Sequence, residues 1–202
     1  MESPYDGFVS RHLNRRASRP IARLLSHTPL TPNQVSIASL AVALLAFGAF
    51  IFEQPIIGGL LAQFSSVVDG VDGDLARLKK MTSAFGAFMD SVLDRYADAL
   101  IILGLTMWAA GDDSTQRVWV VGFWAMAGSF AVTYTRARIE GVSRDLFDKG
   151  IASAASRDVR LFVVMIGALV GQGFATLIVL AVLSNSVVLL RLMHARRVLK
   201  EE

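Results

Sequence analysis

Residues 69–94 carry four carboxylates, Asp69, Asp72, Asp90 and Asp94, inside stretches that are otherwise apolar enough to cross a membrane. Asp69 and Asp72 are three apart and Asp90 and Asp94 four apart, so each pair shares one helix face. Lys79, Lys80, Met81 and Thr82 lie between the pairs and read as the turn of a helical hairpin. Each pair is centred about eleven residues from that turn, which at ~1.5 Å per residue puts both about 16 Å below it, facing each other.

Carboxylates at that depth need partners. An Asp near the centre of a spanning helix costs roughly 2.5–3.5 kcal/mol on insertion scales, so four cost roughly 10–14 kcal/mol. Arg77 and Arg95 can neutralise only part of this charge. Hard divalent cations, Mg²⁺ or Mn²⁺, take oxygen ligands, and two ions about 3.5–4 Å apart form the clamp used for displacement at phosphorus. The plainer alternative is a set of intramembrane ion pairs. In a phosphoryl transfer to an alcohol one carboxylate must take the hydroxyl proton, and Asp94, at the far edge of the cluster, is the candidate base. Gly73 and Ala76 are small enough for a nucleotide to approach the helix backbone, or for a second helix to do so. Asp74 faces away from Asp69 and Asp72, and a solvated or Lys-paired role is expected for it. Asp98 continues the Asp90–Asp94 ladder, and a structural hydrogen bond or an Arg95 pair is expected there.

The pattern Asp69-x-x-Asp72-Gly73-x-x-Ala76-Arg77, eight residues, Gly86-x-x-x-Asp90-x-x-x-Asp94 resembles the full signature of the CDP-alcohol phosphotransferases. The resemblance implies Asp69, Asp72, Asp90 and Asp94 as ligands of two metal ions, with Asp94 also the base. It implies a CDP site of Asn33, Asp69, Gly73, Ala76, Arg77, Ser83 and Gly86, and a homodimer. The segments Asp6-Gly7-Phe8-Val9-Ser10-Arg11, Thr31-Pro32-Asn33 and Ala155-Ser156-Arg157-Asp158-Val159-Arg160 are similar to the branch containing di-myo-inositol-phosphate-phosphate synthases and phosphatidylinositol-phosphate synthases. Members of that branch often follow a soluble cytidylyltransferase domain, which is not visible here, so either a separate protein is expected to supply the donor or this sequence is part of a longer chain.

The rest of the chain reads as one membrane domain over residues 1–202, with 53% hydrophobic residues. Residues 1–33 form a juxtamembrane segment whose part 5–27 mixes apolar residues with five arginines, the pattern of an amphipathic interfacial helix bent at Pro20. A six-helix bundle follows over 34–192, with spans near 35–52, 56–78, 83–108, 118–135, 161–170 and 174–190, and 193–202 is a tail. The fold class is therefore all-α integral membrane protein, six transmembrane helices behind an N-terminal interfacial helix. No cleavable leader is expected, because the first apolar run starts so late. Lys and Arg gather before span one, between two and three, between four and five, and after six. That places both termini and the mouth of the Asp hairpin in the cytoplasm, with the chain in the cell membrane among its lipids. The net charge of +3 belongs to these loops rather than to a nucleic-acid surface.

Arg136, Arg138, Arg157, Arg160 and Arg191 fall at the cytoplasmic ends of spans four to six. Each alone reads as a lipid anchor; together they read as a pocket for a phosphate on the acceptor. The expected activity is metal-dependent transfer of a phospho-alcohol from a CDP-alcohol to a phosphorylated alcohol acceptor with release of CMP. CDP-inositol plus inositol phosphate is one such pair. A CDP-diacylglycerol-dependent phospholipid synthase, making phosphatidylinositol phosphate or phosphatidylglycerol phosphate, is the alternative. A divalent-cation transporter would also place Asp in spans, but has no need of Gly73, Ala76 and Arg77 at fixed offsets. A prenyltransferase would carry a second, separated Asp-rich motif.

Overall fold

A computed structural model describes residues 14–111, 116–139 and 155–198. Among these the chain is all helical: α1 Arg15–Ser26, α2 Pro32–Ile51, α3 Pro55–Leu78, α4 Ala84–Ala110, α5 Gln116–Ile139, α6 Arg157–Leu169 and α7 Gly173–Val198. The helix starts are written locally. Thr31 Oγ1 accepts from Gln34 N and Gln34 Oε1 accepts from Thr31 N, a reciprocal cap that opens α2 with Pro32 in its first turn. Ser83 Oγ accepts from Gly86 N at 3.0 Å and opens α4. Between α3 and α4 the chain reverses through Lys80, whose φ is 55°. Lys79 Nζ donates to Thr28 O at 2.6 Å and Leu30 O at 2.7 Å, which ties this turn to the α1–α2 link.

The core is built from Ala43, Ala46, Phe50, Ala62, Ile101, Leu105, Leu161, Val164 and Leu180. Small residues let helices approach closely. A Cβ added to Gly59 of α3 would lie 2.7 Å from Ala168 Cβ of α6, so this crossing needs a glycine. Large apolar side chains such as Leu45, Ile56, Phe64, Phe88, Phe123 and Val182 point outward instead. An apolar exterior around an alanine-rich interior is the pattern of a bundle solvated by lipid.

Three helices, α2, α5 and α7, are long and apolar enough to cross a membrane by composition alone. The six crossings read from the sequence are thus not all visible in hydropathy. Helices α3 and α4 have the length, 24 and 27 residues, but carry the acids. The fifth expected span is the 13-residue α6, about 20 Å long at ~1.5 Å per residue against a hydrocarbon core of about 30 Å. It is short because it starts at Arg157, within a side chain's reach of the carboxylates, rather than at the ends of its neighbours.

Helix α1, expected to lie on the membrane surface, runs through Pro20 as one helix and packs on α3, burying Ser18 and Ala22. Residues 1–13, which include the start of the expected interfacial helix, lie outside the described residues, as do 140–154 of the polar link before α6. Helices α3 and α4 hardly touch each other, because each packs along α2. The hairpin is therefore splayed, and its opening holds the site.

Candidate metal and nucleotide site

Helix α3 delivers Asp69 and Asp72 and helix α4 delivers Asp90 and Asp94. Asp69, Asp72 and Asp90 each bring a carboxylate oxygen to within 4.8 Å of the other two. Opposite ligands of one hard cation lie about 4–5 Å apart, twice a metal–oxygen distance of ~2.0–2.6 Å, so this triad fits a divalent ion. Asp72 is nearly buried and accepts a short hydrogen bond from Ser36 Oγ of α2, which fixes the carboxylate's rotation.

Asp94 stands differently. Arg157 Nη1, from the first turn of α6, lies 3.2 Å from Asp94 Oδ1 and 3.0 Å from Asp69 Oδ2. One guanidinium nitrogen thus contacts both carboxylates. Its Nε donates to Asp98 Oδ1 at 3.1 Å. Asp98 is 2% exposed and also accepts from Arg160 Nη2 at 2.6 Å and Ser129 Oγ at 3.1 Å, whereas Arg95 Nη2 is 3.9 Å away. Asp98 is therefore the buried acid that anchors the start of α6, with Arg95 only a distant partner. Arg95 comes closer to Asp94, at 3.6 Å. Arg77 pairs outside the cluster, its Nη2 going to Asp74 at 2.7 Å.

Beside the triad is a cavity of about 200 Å³ lined by Asn33, Ser36, Asp72, Gly73, Ala76, Arg77, Ser83, Gly86 and Asp90, among others. It gathers every expected nucleotide contact except Asp69. Gly86 sits in a crowded place: a Cβ there would lie 3.0 Å from Ser83 Oγ and 3.2 Å from Asn33 Oδ1, so those side chains would have to give by a few tenths of an ångström. Ser36 was not singled out by the sequence pattern, although it lies three residues after Asn33, on the same face of α2.

The five acceptor candidates are divided. Arg157 and Arg160 turn inward to the acids as described. Arg191 of α7 is 6% exposed and donates through Nη1 to Val132 O and to Thr135 Oγ1, holding the last turns of α5. Arg136 is half-buried and Arg138 exposed at the end of α5. Asp74, expected to be solvated or paired with lysine, pairs with Arg15 of α1 and Arg77 instead, each at 2.7 Å. Helix α1 packs over this face of α3 and supplies the partner.

Known proteins resemble this chain in sequence and in fold. The bifunctional IPC transferase and DIPP synthase of Rubrobacter xylanophilus is 44% identical over 192 residues, 95% of this chain. The chain spans 43% of that relative's length. The archaetidylinositol phosphate synthase of Pyrococcus horikoshii is 33% identical over 143 residues, covering 71% of this chain and 73% of the relative. Among solved structures, Mycobacterium tuberculosis phosphatidylinositol phosphate synthase with CDP-DAG bound superposes with a TM-score of 0.72 at 25% identity, over 89% of this chain and 93% of that one. The family described as CDP-alcohol phosphatidyltransferase matches residues 29–195. That match runs from the link before α2 into the last turns of α7, taking in both Asp helices and the cavity between them, and the chain belongs to the CDP-alcohol phosphatidyltransferase family.

Proposed function

We propose that this chain transfers a phospho-alcohol from a CDP-alcohol to the hydroxyl of a phosphorylated alcohol and releases CMP. The observation that carries the reading is the adjacency of the cavity to the carboxylate triad, since Asp72 and Asp90 belong to both. Two ions, Mg²⁺ or Mn²⁺, held by Asp69, Asp72, Asp90 and Asp94, would supply charge neutralisation and polarisation of the diphosphate when bound. The chain's own residues do the rest. Asn33, Gly73, Ala76, Ser83 and Gly86 shape the cytidine side of the cavity, Asp69 adjoins it, and Arg77 meets the diphosphate. Asp94 takes the acceptor's hydroxyl proton as the new oxygen–phosphorus bond forms and the bond to CMP breaks. Arg136 and Arg138 at the end of α5 meet the phosphorylated acceptor, while Arg157, Arg160 and Arg191, engaged inside the bundle, add to the positive field on that side.

CDP-inositol with inositol phosphate, giving di-myo-inositol-phosphate phosphate, is the preferred pair, supported by the relative at 44% identity. A synthase using CDP-diacylglycerol is the second reading, supported by the CDP-DAG-bound structure at TM-score 0.72. The chain sits in the membrane as a single domain: an interfacial segment 1–33, a six-helix bundle 34–192 and a tail 193–202, with both termini and the hairpin mouth facing the cytoplasm. It works as a homodimer among membrane lipids. Purified protein with Mg²⁺ or Mn²⁺ is given CDP-inositol or CDP-diacylglycerol together with inositol phosphate, and CMP is followed. CMP release with only one donor assigns the substrate; no metal-dependent CMP release from any CDP-alcohol would remove the enzyme reading in favour of cation transport.

A further inference from the structure

Asp74 follows Gly73 directly and lies outside the carboxylate cluster, yet it is among the most heavily bonded acids of the described residues. Its side chain is 13% exposed. Oδ1 takes Arg15 Nη1 and Arg77 Nη2, each at 2.7 Å, and Oδ2 accepts from Ser18 Oγ at 3.1 Å. Two of these donors come from α1, and the third is one turn along α3. Arg77 is the one that matters for chemistry. It lines the cavity, and its guanidinium lies over Gly73, where an added Cβ would be 3.7 Å from both terminal nitrogens. Its side chain is 45% exposed, so packing alone does not hold it, and the Asp74 carboxylate is the fixed point that does. Arg15, buried to 11% exposure and 3.5 Å from Gly70 O, fixes the carboxylate in turn.

We infer that Asp74 is a positioning residue for the donor site: it aims Arg77 at the diphosphate of the bound nucleotide and links that aim to the docking of α1 on α3. The inference rests on the donor-pocket reading above. A carboxylate bound to one nitrogen of a guanidinium leaves the other edges of the plane free for phosphate oxygens, and holds the plane before the ligand arrives. If Asp74 served only to dock α1, its loss would change stability and leave nucleotide affinity governed by Arg77 alone.

The experiment is a double-mutant cycle on the full chain in detergent with Mg²⁺, with binding of CDP read by calorimetry and folding by thermal melt. Asp74→Asn keeps the shape and removes the charge. It should weaken CDP binding about 3- to 20-fold, the range of a charge-assisted contact near the surface. In the Arg77→Ala background the same change should have no further effect on CDP, and Asp74→Glu should recover part of the loss. In turnover, KM for the donor should rise while kcat holds. Where Asp74→Asn does not purify as folded protein, Arg15→Ala takes its place under the same criterion. A full, additive loss in the Arg77→Ala background, or unchanged CDP affinity in Asp74→Asn, overturns the inference while leaving the donor pocket in place. Wild-type protein that does not bind CDP overturns the donor pocket itself, and this inference with it.

Discussion

Arg157 reaches from the first turn of α6 to Asp69 on α3, with Nη1 3.0 Å from Oδ2. The same nitrogen touches Asp94, so one guanidinium bridges a member of the triad and the one carboxylate of the four that lies outside it. A unit positive charge therefore stands beside two of the four carboxylates that would hold metal. Asp69 belongs to the triad, so this charge bears directly on the candidate metal site.

Replacing Arg157 should consequently act in opposite directions on the metal-free and metal-loaded protein. In Arg157→Gln the metal-free form loses the partner of buried carboxylates, a loss of about 3–5 kcal/mol for a broken buried pair, and its Tm falls. The rise in Tm on adding Mn²⁺ should be larger than in wild type, because the competing charge is gone. Thermal melts with and without Mn²⁺ check this, and an equal or smaller rise would show that Arg157 does not compete.

Asp94 and Asp69 should separate in function. Asp94→Asn is expected to abolish CMP release, with CDP affinity largely kept, because the amide cannot take the proton. Asp69→Asn should weaken Mn²⁺ and CDP binding together. Mn²⁺ titration by electron paramagnetic resonance and CDP calorimetry on both variants decide it; near-normal turnover in Asp94→Asn removes Asp94 as base.

Gly86→Ala places a methyl 3.0 Å from Ser83 Oγ and 3.2 Å from Asn33 Oδ1. Those side chains must yield into the cavity, at about 1–3 kcal/mol of overpacking. The expected result is a donor KM raised about 5- to 100-fold with the acceptor KM unchanged. A normal donor KM would place the nucleotide elsewhere.

The exposed end of α5 makes a cleaner acceptor test than the buried arginines. Arg138→Ala should raise the acceptor KM roughly 10- to 150-fold through loss of a contact worth about 1.5–3 kcal/mol, with little change for the donor. The control is Arg19→Ala, exposed on α1. Equal effects from both, or an effect on the donor alone, point to an unphosphorylated acceptor.

With no cysteine in the chain, single introduced cysteines report topology without background. Lys80→Cys, in the α3–α4 turn, should react with an impermeant maleimide only in inside-out vesicles. Gln172→Cys, between α6 and α7, should react only in right-side-out cells. Labelling of both from one side would rule out the proposed six crossings.

Much of the site is legible along the chain because helix geometry is local. Spacings of three and four put Asp69 with Asp72 and Asp90 with Asp94 whatever surrounds them, and Thr31 and Ser83 cap helices with donors three residues on. The same regularity carries the family signature, and apolar composition marks a membrane protein. Only the packing of helices decided which arginine meets which acid. Arg157 and Asp98 are 59 positions apart, and Ser18 and Asp74 are 56 apart. A buried carboxylate accepts any cation that reaches it, so Arg77, nearest in sequence to Asp72, goes to Asp74, and Arg157 arrives at Asp69 from a distant helix. The splay of α3 from α4 is of the same kind: both helices pack more closely on α2 than on each other, and that choice of neighbour opens the cavity.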